Sequence, residues 1–268
     1  MTHAATVFVF AGGLFLGMLL FLEIGRRIGL RRLQDDSSTA AEGIGAVDGA
    51  VFAVLGLLIA FTFSGASARF DARRQLIVEE TNDIGTAYLR VDLLPAAAQS
   101  ALRESFRGYL DARIETYARF PDIKAVRESL AKANELQRQI WRQAVEAIQA
   151  EAALPSAPML LLPALNAMID ITTTRTMATQ MHPPRVVFVM LFGLALAASA
   201  LAGYGMTGSK MRSRFHMLGF ALVMAFAVFV ILDIEYPRLG LIRVDAFDQA
   251  LVDLRADMNR DVPRLEQK

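Results

Sequence analysis

Two groups of charged side chains are the best candidates for chemistry in this sequence, and they are of opposite sign. Arg69, Arg73 and Arg74 follow one another closely, as do Asp233 and Glu235. Clustered arginines attract anions, whereas carboxylates pair with arginines or supply oxygen ligands to a cation. Nucleophilic catalysis needs a base beside the nucleophile, and the sequence has no Walker lysine, nucleophile elbow or zinc-protease motif. We therefore predict that the protein is not an enzyme.

Metal and cofactor sites are disfavoured by the residue types that the chain lacks. It has no cysteine, and its three histidines, His3, His182 and His216, are far apart. The usual ligands of zinc, haem and iron–sulfur clusters are therefore scarce. Calcium needs roughly six to eight oxygen ligands, more than the short acidic cluster offers. The net charge of +1 gives no electrostatic basis for binding nucleic acid, so we expect no metal, no cofactor and no nucleic-acid partner.

A further carboxylate pair, Glu79 and Glu80, lies in an arginine-rich stretch. Two neighbouring carboxylates are a possible acid–base pair. On a helix rich in arginine, however, exposed ion pairs are the more common arrangement. We interpret this pair as part of a solvated helix surface.

The apolar residues, 54% of the chain, are concentrated in four runs that contain no charged side chain. These runs are residues 1–22, 49–68, 186–209 and 215–232. A helix needs about 20 residues to cross a bilayer, and a core helix of a soluble protein seldom avoids charge for so long. The sequence therefore predicts an all-α integral membrane protein with four transmembrane helices in two hairpins, embedded in a lipid bilayer.

The remaining residues divide the chain into four segments. We expect a first transmembrane hairpin at 1–68, a helical extramembrane domain at 69–185, a second hairpin at 186–232 and a C-terminal helical tail at 233–268. Prolines end and begin helices, and those of the polar segment predict helices at 69–93, 97–119, 122–153 and 163–181. In the tail, Phe247, Leu251 and Leu254 recur at helical spacing, so we expect this helix to pack on the polar domain.

Small residues mark one face of the second span: Gly45, Gly49, Ala53 and Gly56. Small residues let helices approach closely in lipid. One interpretation is packing within the chain against the first span, which contains Gly13 and Gly17, and this is the one we prefer. The other is a symmetric interface between copies of the chain around a central axis.

Two segments together resemble bacterial bestrophins. Residues 55–74, Leu-Gly-Leu-Leu-Ile-Ala-Phe-Thr-Phe-Ser-Gly-Ala-Ser-Ala-Arg-Phe-Asp-Ala-Arg-Arg, resemble the second transmembrane helix of these proteins and its exit. Residues 232–240, Leu-Asp-Ile-Glu-Tyr-Pro-Arg-Leu-Gly, resemble the acidic motif with proline and glycine that follows their last span. Its matching positions are Asp233, Glu235, Pro237 and Gly240. With Leu-Ile-Arg-Val at 241–244, the second segment is closer still to the bestrophin-like family.

The resemblance implies a homo-oligomeric ion channel, because bestrophins are pentamers with an apolar neck on the second helix. It places the neck at Ala53, Leu57 and Phe61. Ala53 is smaller than the residue usual there, which implies a wider upper neck. Arg69, Arg73 and Arg74 would then form a positive pore entrance, which favours anions as the permeant ions.

The resemblance also implies a bacterial inner-membrane protein with a cytoplasmic helical domain. The basic loop residues Arg26, Arg27, Arg31 and Arg32 favour the opposite orientation, and we follow the resemblance. Arg238 stands where the motif has phenylalanine, and the acidic calcium-binding run of animal bestrophins is missing, so we expect no calcium gating. The alternative function is a non-conducting membrane scaffold or signalling protein whose helical domain binds a partner protein.

Overall fold

A computed structural model describes residues 3–35, 41–150, 152–208 and 214–260. Within these ranges the chain is helical, without β-strands. The helices are α1 (His3–Asp35), α2 (Ala41–Leu89), α3 (Ala96–Ala118), α4 (Ile123–Ile148), α5 (Ala157–Ala178), α6 (Arg185–Gly205), α7 (Arg214–Glu235) and α8 (Gln249–Arg260). Short 3-10 turns occupy Arg90–Leu93, Met206–Gly208 and Asp245–Asp248.

Four of these helices, α1, α2, α6 and α7, are long and apolar enough to cross a membrane. Their most apolar stretches have mean hydropathies between 2.2 and 2.6. A helix satisfies all of its backbone hydrogen bonds internally, which is the condition for crossing lipid. The predicted all-α fold with four spans is confirmed.

The chain divides into two compact units. The first comprises residues 1–69 and 182–242, and within it α1 packs against both α6 and α7. Ring pairs mark these contacts: Phe8 lies 5.0 Å from Phe229, and Phe10 lies 6.4 Å from Phe192, measured between ring centroids. The first span therefore packs mainly on the two spans of the second hairpin.

Glycines permit the closest approach of α1 and α6. A Cβ added to Gly25 would lie 1.9 Å from the carbonyl oxygen of Ala200, and one added to Gly203 would lie 2.0 Å from that of Leu22. Both distances are far inside van der Waals contact, so only glycine fits at these two positions. The Gly25-x-x-x-Gly29 spacing was the sequence signal for this contact, and our sequence analysis did not use it.

The glycines that we did single out lie elsewhere. A Cβ added to Gly45, Gly49 or Gly56 would meet no heavy atom within 4 Å. The preferred interpretation, packing within the chain against Gly13 and Gly17, is therefore wrong. Gly13 is equally open, and Gly17 faces Leu196 of α6.

The second unit comprises residues 70–181 and 243–268 and has its own apolar core. α3 packs along α4, and α8 packs on α3. Leu251 and Met258 of α8 are buried in the core, and Leu254 packs against it. The tail helix thus packs on the helical domain as predicted, although Phe247 lies in the 3-10 turn that precedes α8.

Helix ends in this unit differ from the predicted ones by a few residues. α4 begins as expected, because Asp122 Oδ1 accepts hydrogen bonds from the backbone N–H groups of Lys124 and Ala125 at 3.0 and 3.1 Å. It ends at Ile148 instead of 153. α5 begins at Ala157 instead of 163, because Pro158 occupies a first-turn position where its missing N–H costs nothing.

Candidate functional site

The second span leaves one apolar face uncovered. Leu57 and Phe61, the predicted constriction residues, are 54% and 67% exposed, and Ala53 is exposed one turn earlier. Leu55, on another face of the same helix, is 1% exposed. Of the most apolar stretch of α2, only 11% is buried, against 28% in each of the other three spans. α2 is thus the span least covered by its own chain.

At the end of this span, Arg69 binds a buried carboxylate. Its Nε donates to both carboxylate oxygens of Glu235 at 3.0 and 3.1 Å, and its Nη2 donates to Oε2 at 2.7 Å. The Glu235 side chain is fully buried, and that of Arg69 is 30% exposed. A buried carboxylate needs such partners, because its desolvation is otherwise very costly.

A histidine that the sequence analysis left without a role completes this cluster. His182 Nδ1 lies 3.0 Å from Glu235 Oε1. The imidazole ring stacks on Tyr236 with 4.4 Å between ring centroids. His182 therefore reaches the acidic motif from the segment between α5 and α6.

The rest of the acidic motif forms a backbone turn. Asp233 accepts hydrogen bonds from the backbone N–H groups of Leu241, at 2.9 and 3.0 Å, and Ile242, at 2.7 Å. A Cβ on Gly240 would lie 2.4 Å from Asp233 Oδ1, so the turn requires glycine. Pro237 is buried within the same turn. The four predicted motif residues are thus brought together, with Asp233 bound to backbone amides and Glu235 bound to Arg69.

The other two predicted entrance arginines have partners in the second unit. Arg73 is only 8% exposed, and it donates to the carbonyl oxygens of Ala178 and Met181 at 3.1 and 2.8 Å. Arg74 donates to Asp71 Oδ1 at 3.0 Å, and its guanidinium lies 4.2 Å from the centre of the Phe247 ring. Each of the three predicted entrance arginines therefore has partners within the chain.

Comparison with known proteins identifies the family. A family model described as Bestrophin-like domain matches residues 12–246. The chain belongs to the Bestrophin-like family. Its structure is similar to the crystal structure of a mutant bacterial bestrophin homologue from Klebsiella pneumoniae, with a TM-score of 0.66 and 12% sequence identity. The match covers 92% of this chain and 98% of the Klebsiella chain, and at this identity it shows the fold alone. No curated protein matches the chain.

The bestrophin-like chain also holds a buried charge cluster that the sequence analysis misjudged. Glu80 is fully buried and forms ion pairs with both Arg113 and Arg175, whereas its neighbour Glu79 is exposed. The prediction of a solvated surface is therefore wrong for Glu80. The missed signal is its register: Glu80 falls on the same helix face as the buried residues Ile77 and Ile84.

Arg175 links this cluster to the C-terminal segment. Its Nη2 donates to Asp248 Oδ1 at 2.7 Å, and its guanidinium lies 3.6 Å from the centre of the Tyr117 ring. Burial alone would lower the pKa of Arg175, but Tyr117 and Glu80 together raise that pKa above its ordinary value. The guanidinium therefore stays charged inside the domain and joins α2, α5 and the turn before α8.

The described part of this bestrophin-like chain contains no group of three or more His, Asp or Glu side chains placed to hold a metal ion. Glu235 accepts hydrogen bonds from Arg69 and His182, and Asp233 accepts them from backbone amides. α2 therefore has an exposed apolar face, and the ion pair between Arg69 and the buried Glu235 holds the helix in place where its apolar run ends.

Proposed function

We propose that this protein is one subunit of a homo-oligomeric, bestrophin-like ion channel whose pore is lined by α2. The observation that carries the proposal is the uncovered face at Ala53, Leu57 and Phe61. In a closed cyclic oligomer the same surface of every subunit faces the axis. A ring of leucines and phenylalanines there makes a narrow apolar constriction, and such constrictions gate by dewetting.

The open glycines of α2 fit the same arrangement. Gly45, Gly49 and Gly56 have free space around them within the chain, and small residues allow close helix contact in lipid. We propose that they contact the α2 helices of neighbouring subunits. By the resemblance to bestrophins, we propose five subunits in the bacterial inner membrane, with the helical domain in the cytoplasm.

The proposed permeant ions are anions. Each subunit brings Arg69 and Arg74 to the end of the span or just beyond it, and the side chain of each is at least 30% exposed. Glu235 and Asp71 offset part of this positive charge, so we expect a modest preference for chloride over sodium. Bilayer recordings in asymmetric sodium chloride test this part directly. A reversal potential at the equilibrium potential of sodium would contradict the preference for anions but would still support an ion channel.

Cysteine substitution tests the pore-lining residues, because the native chain has no cysteine. We expect a negatively charged, water-soluble methanethiosulfonate reagent to reduce the current through Leu57→Cys and Phe61→Cys. The control is Leu55→Cys, because Leu55 is buried on the same helix. The current of this control is expected to stay unchanged. Equal modification of all three variants, or of none, would show that this face of α2 does not line the pore.

The absence of any ionic current is the result that would overturn the channel proposal. If folded, oligomeric protein conducts no ions at any voltage or pH, the non-conducting scaffold becomes the better account. Under that account the central axis is closed by packing, and the cysteines at positions 57 and 61 are inaccessible to the reagent.

A further inference from the structure

A cleft lies between α4 and α5 in the second unit. Its volume is about 470 Å³, within the range of roughly 300–1,000 Å³ that is usual for pockets binding small molecules. α4 contributes Gln137, Arg138, Trp141 and Arg142, and α5 contributes Ile169 and Thr173. The cleft thus combines two cations, an aromatic ring and an aliphatic side chain in one place.

The cleft carries an excess of positive charge. Arg138 Nε donates to Glu135 Oε2 at 3.0 Å, and Arg142 Nη2 donates to Glu135 Oε1 at 3.3 Å. These partners, Arg138 first, lower the pKa of Glu135 below its ordinary value. One carboxylate thus serves two guanidinium groups that are 60% and 65% exposed. Each guanidinium has five N–H donors, so donors remain for an anionic ligand.

The floor of the cleft is held by buried hydrogen bonds. Gln137 is 7% exposed, and its Nε2 donates to the hydroxyl oxygens of Tyr109 and Thr172 at 3.1 and 2.9 Å. Trp141 is partly buried against the apolar core. A fixed floor with an adjacent aromatic ring suits a ligand with a flat apolar part, because little conformational freedom is lost on binding.

We propose that this cleft binds a small aromatic carboxylate. The carboxylate would be held by the guanidinium groups of Arg138 and Arg142, whose planar forks match it in geometry. The aromatic ring would pack against Trp141 and Ile169, where ring contacts add to the burial of apolar area. The proposal concerns a site remote in sequence from the proposed pore residues, and it stands whether or not the protein conducts ions.

The chain provides its own reporter for this site, because Trp141 is its only tryptophan. The full-length protein in detergent would be titrated with sodium benzoate, and tryptophan emission recorded under excitation that benzoate does not absorb. We expect a saturable change in emission. We expect benzamide and acetate to bind at least about tenfold more weakly. Benzamide lacks the negative charge that the arginines would bind, and acetate lacks the ring that would pack against Trp141. Equal responses to all three compounds would overturn the proposal.

Two double variants that remove the same charge distinguish benzoate binding in the cleft from a general effect of the charge of the protein. Arg138→Gln combined with Arg142→Gln is expected to weaken benzoate binding at least about tenfold, through the loss of charge-assisted hydrogen bonds. Lys124→Gln combined with Arg127→Gln removes the same charge from exposed positions of the same helix outside the cleft, and its affinity is expected to match the parent. Equal weakening in both variants would contradict the proposal. If the first variant has a lowered thermal midpoint, Arg142→Gln alone is the deciding substitution, and unchanged affinity in it overturns the proposal.

Discussion

Arg69 of α2 donates three hydrogen bonds to the carboxylate of Glu235, the last residue of α7, although 166 positions separate the two residues in sequence. This ion pair joins the two segments on which the resemblance to bestrophins rests, residues 55–74 and 232–240. It fixes α2, at the point where its apolar run ends, to the end of the last span. The motif that follows the last span therefore holds α2, the helix that we propose lines the pore, in position.

Replacing Arg69 with glutamine is expected to destabilise the protein by about 2–4 kcal/mol, because the Glu235 carboxylate stays buried without its main partner. The cost is lower than for a fully buried pair, because Arg69 is partly exposed. The thermal midpoint of the detergent-solubilised protein measures it. Arg119→Gln breaks an exposed pair with Glu115 and should cost no more than about 1 kcal/mol. Similar midpoints for the two variants would show that the Arg69–Glu235 pair does not hold the spans together.

Neighbouring glutamates should respond very differently to the same substitution. Glu80→Gln leaves Arg113 and Arg175 buried without their shared carboxylate, and we expect a loss of about 3–5 kcal/mol. Glu79→Gln changes an exposed side chain and should alter stability by no more than about 0.5 kcal/mol. Thermal denaturation of both variants tests the burial directly. A harmless Glu80→Gln substitution would contradict the cluster as described.

The turn after α7 should tolerate no side chain at Gly240. An added methyl group collides with the Asp233 carboxylate and displaces it from the backbone N–H groups of Leu241 and Ile242. We expect Gly240→Ala to cost about 1–3 kcal/mol. Gly219→Ala in α7 meets no atom within 4 Å and should be neutral or slightly stabilising. Proteolysis is a second measure: only Gly240→Ala should become susceptible near residues 236–245.

The open glycines of α2 give a prediction about assembly. Gly49→Leu fills space that is empty within the chain, so the fold of one subunit should survive. Contacts between subunits should weaken if these glycines face neighbouring α2 helices. Mass measurement of the protein in detergent should then show fewer subunits. Gly193→Leu fills a similarly open position on α6, and assembly should be unaffected. An intact oligomer for Gly49→Leu would place the subunit interface elsewhere.

The amino-acid sequence by itself determined the spans, the class of fold and the family resemblance. Runs without charge predict transmembrane helices, because in lipid a charged side chain is costly and the backbone must bond to itself. Prolines act locally, so Pro121 predicted the start of α4 correctly. The motifs at 55–74 and 232–240 carried the resemblance, which the family match confirms.

Only the tertiary structure decided which polar and small residues are buried, and against what. Glu79 and Glu80 are adjacent and chemically identical, yet only Glu80 meets Arg113 and Arg175, which lie 33 and 95 positions away. Likewise, glycine spacing predicts a helix face suited to close packing but does not choose its partner, and the close contact lies at Gly25 and Gly203. Burial depends on contacts between residues distant in sequence, and local patterns do not contain that information.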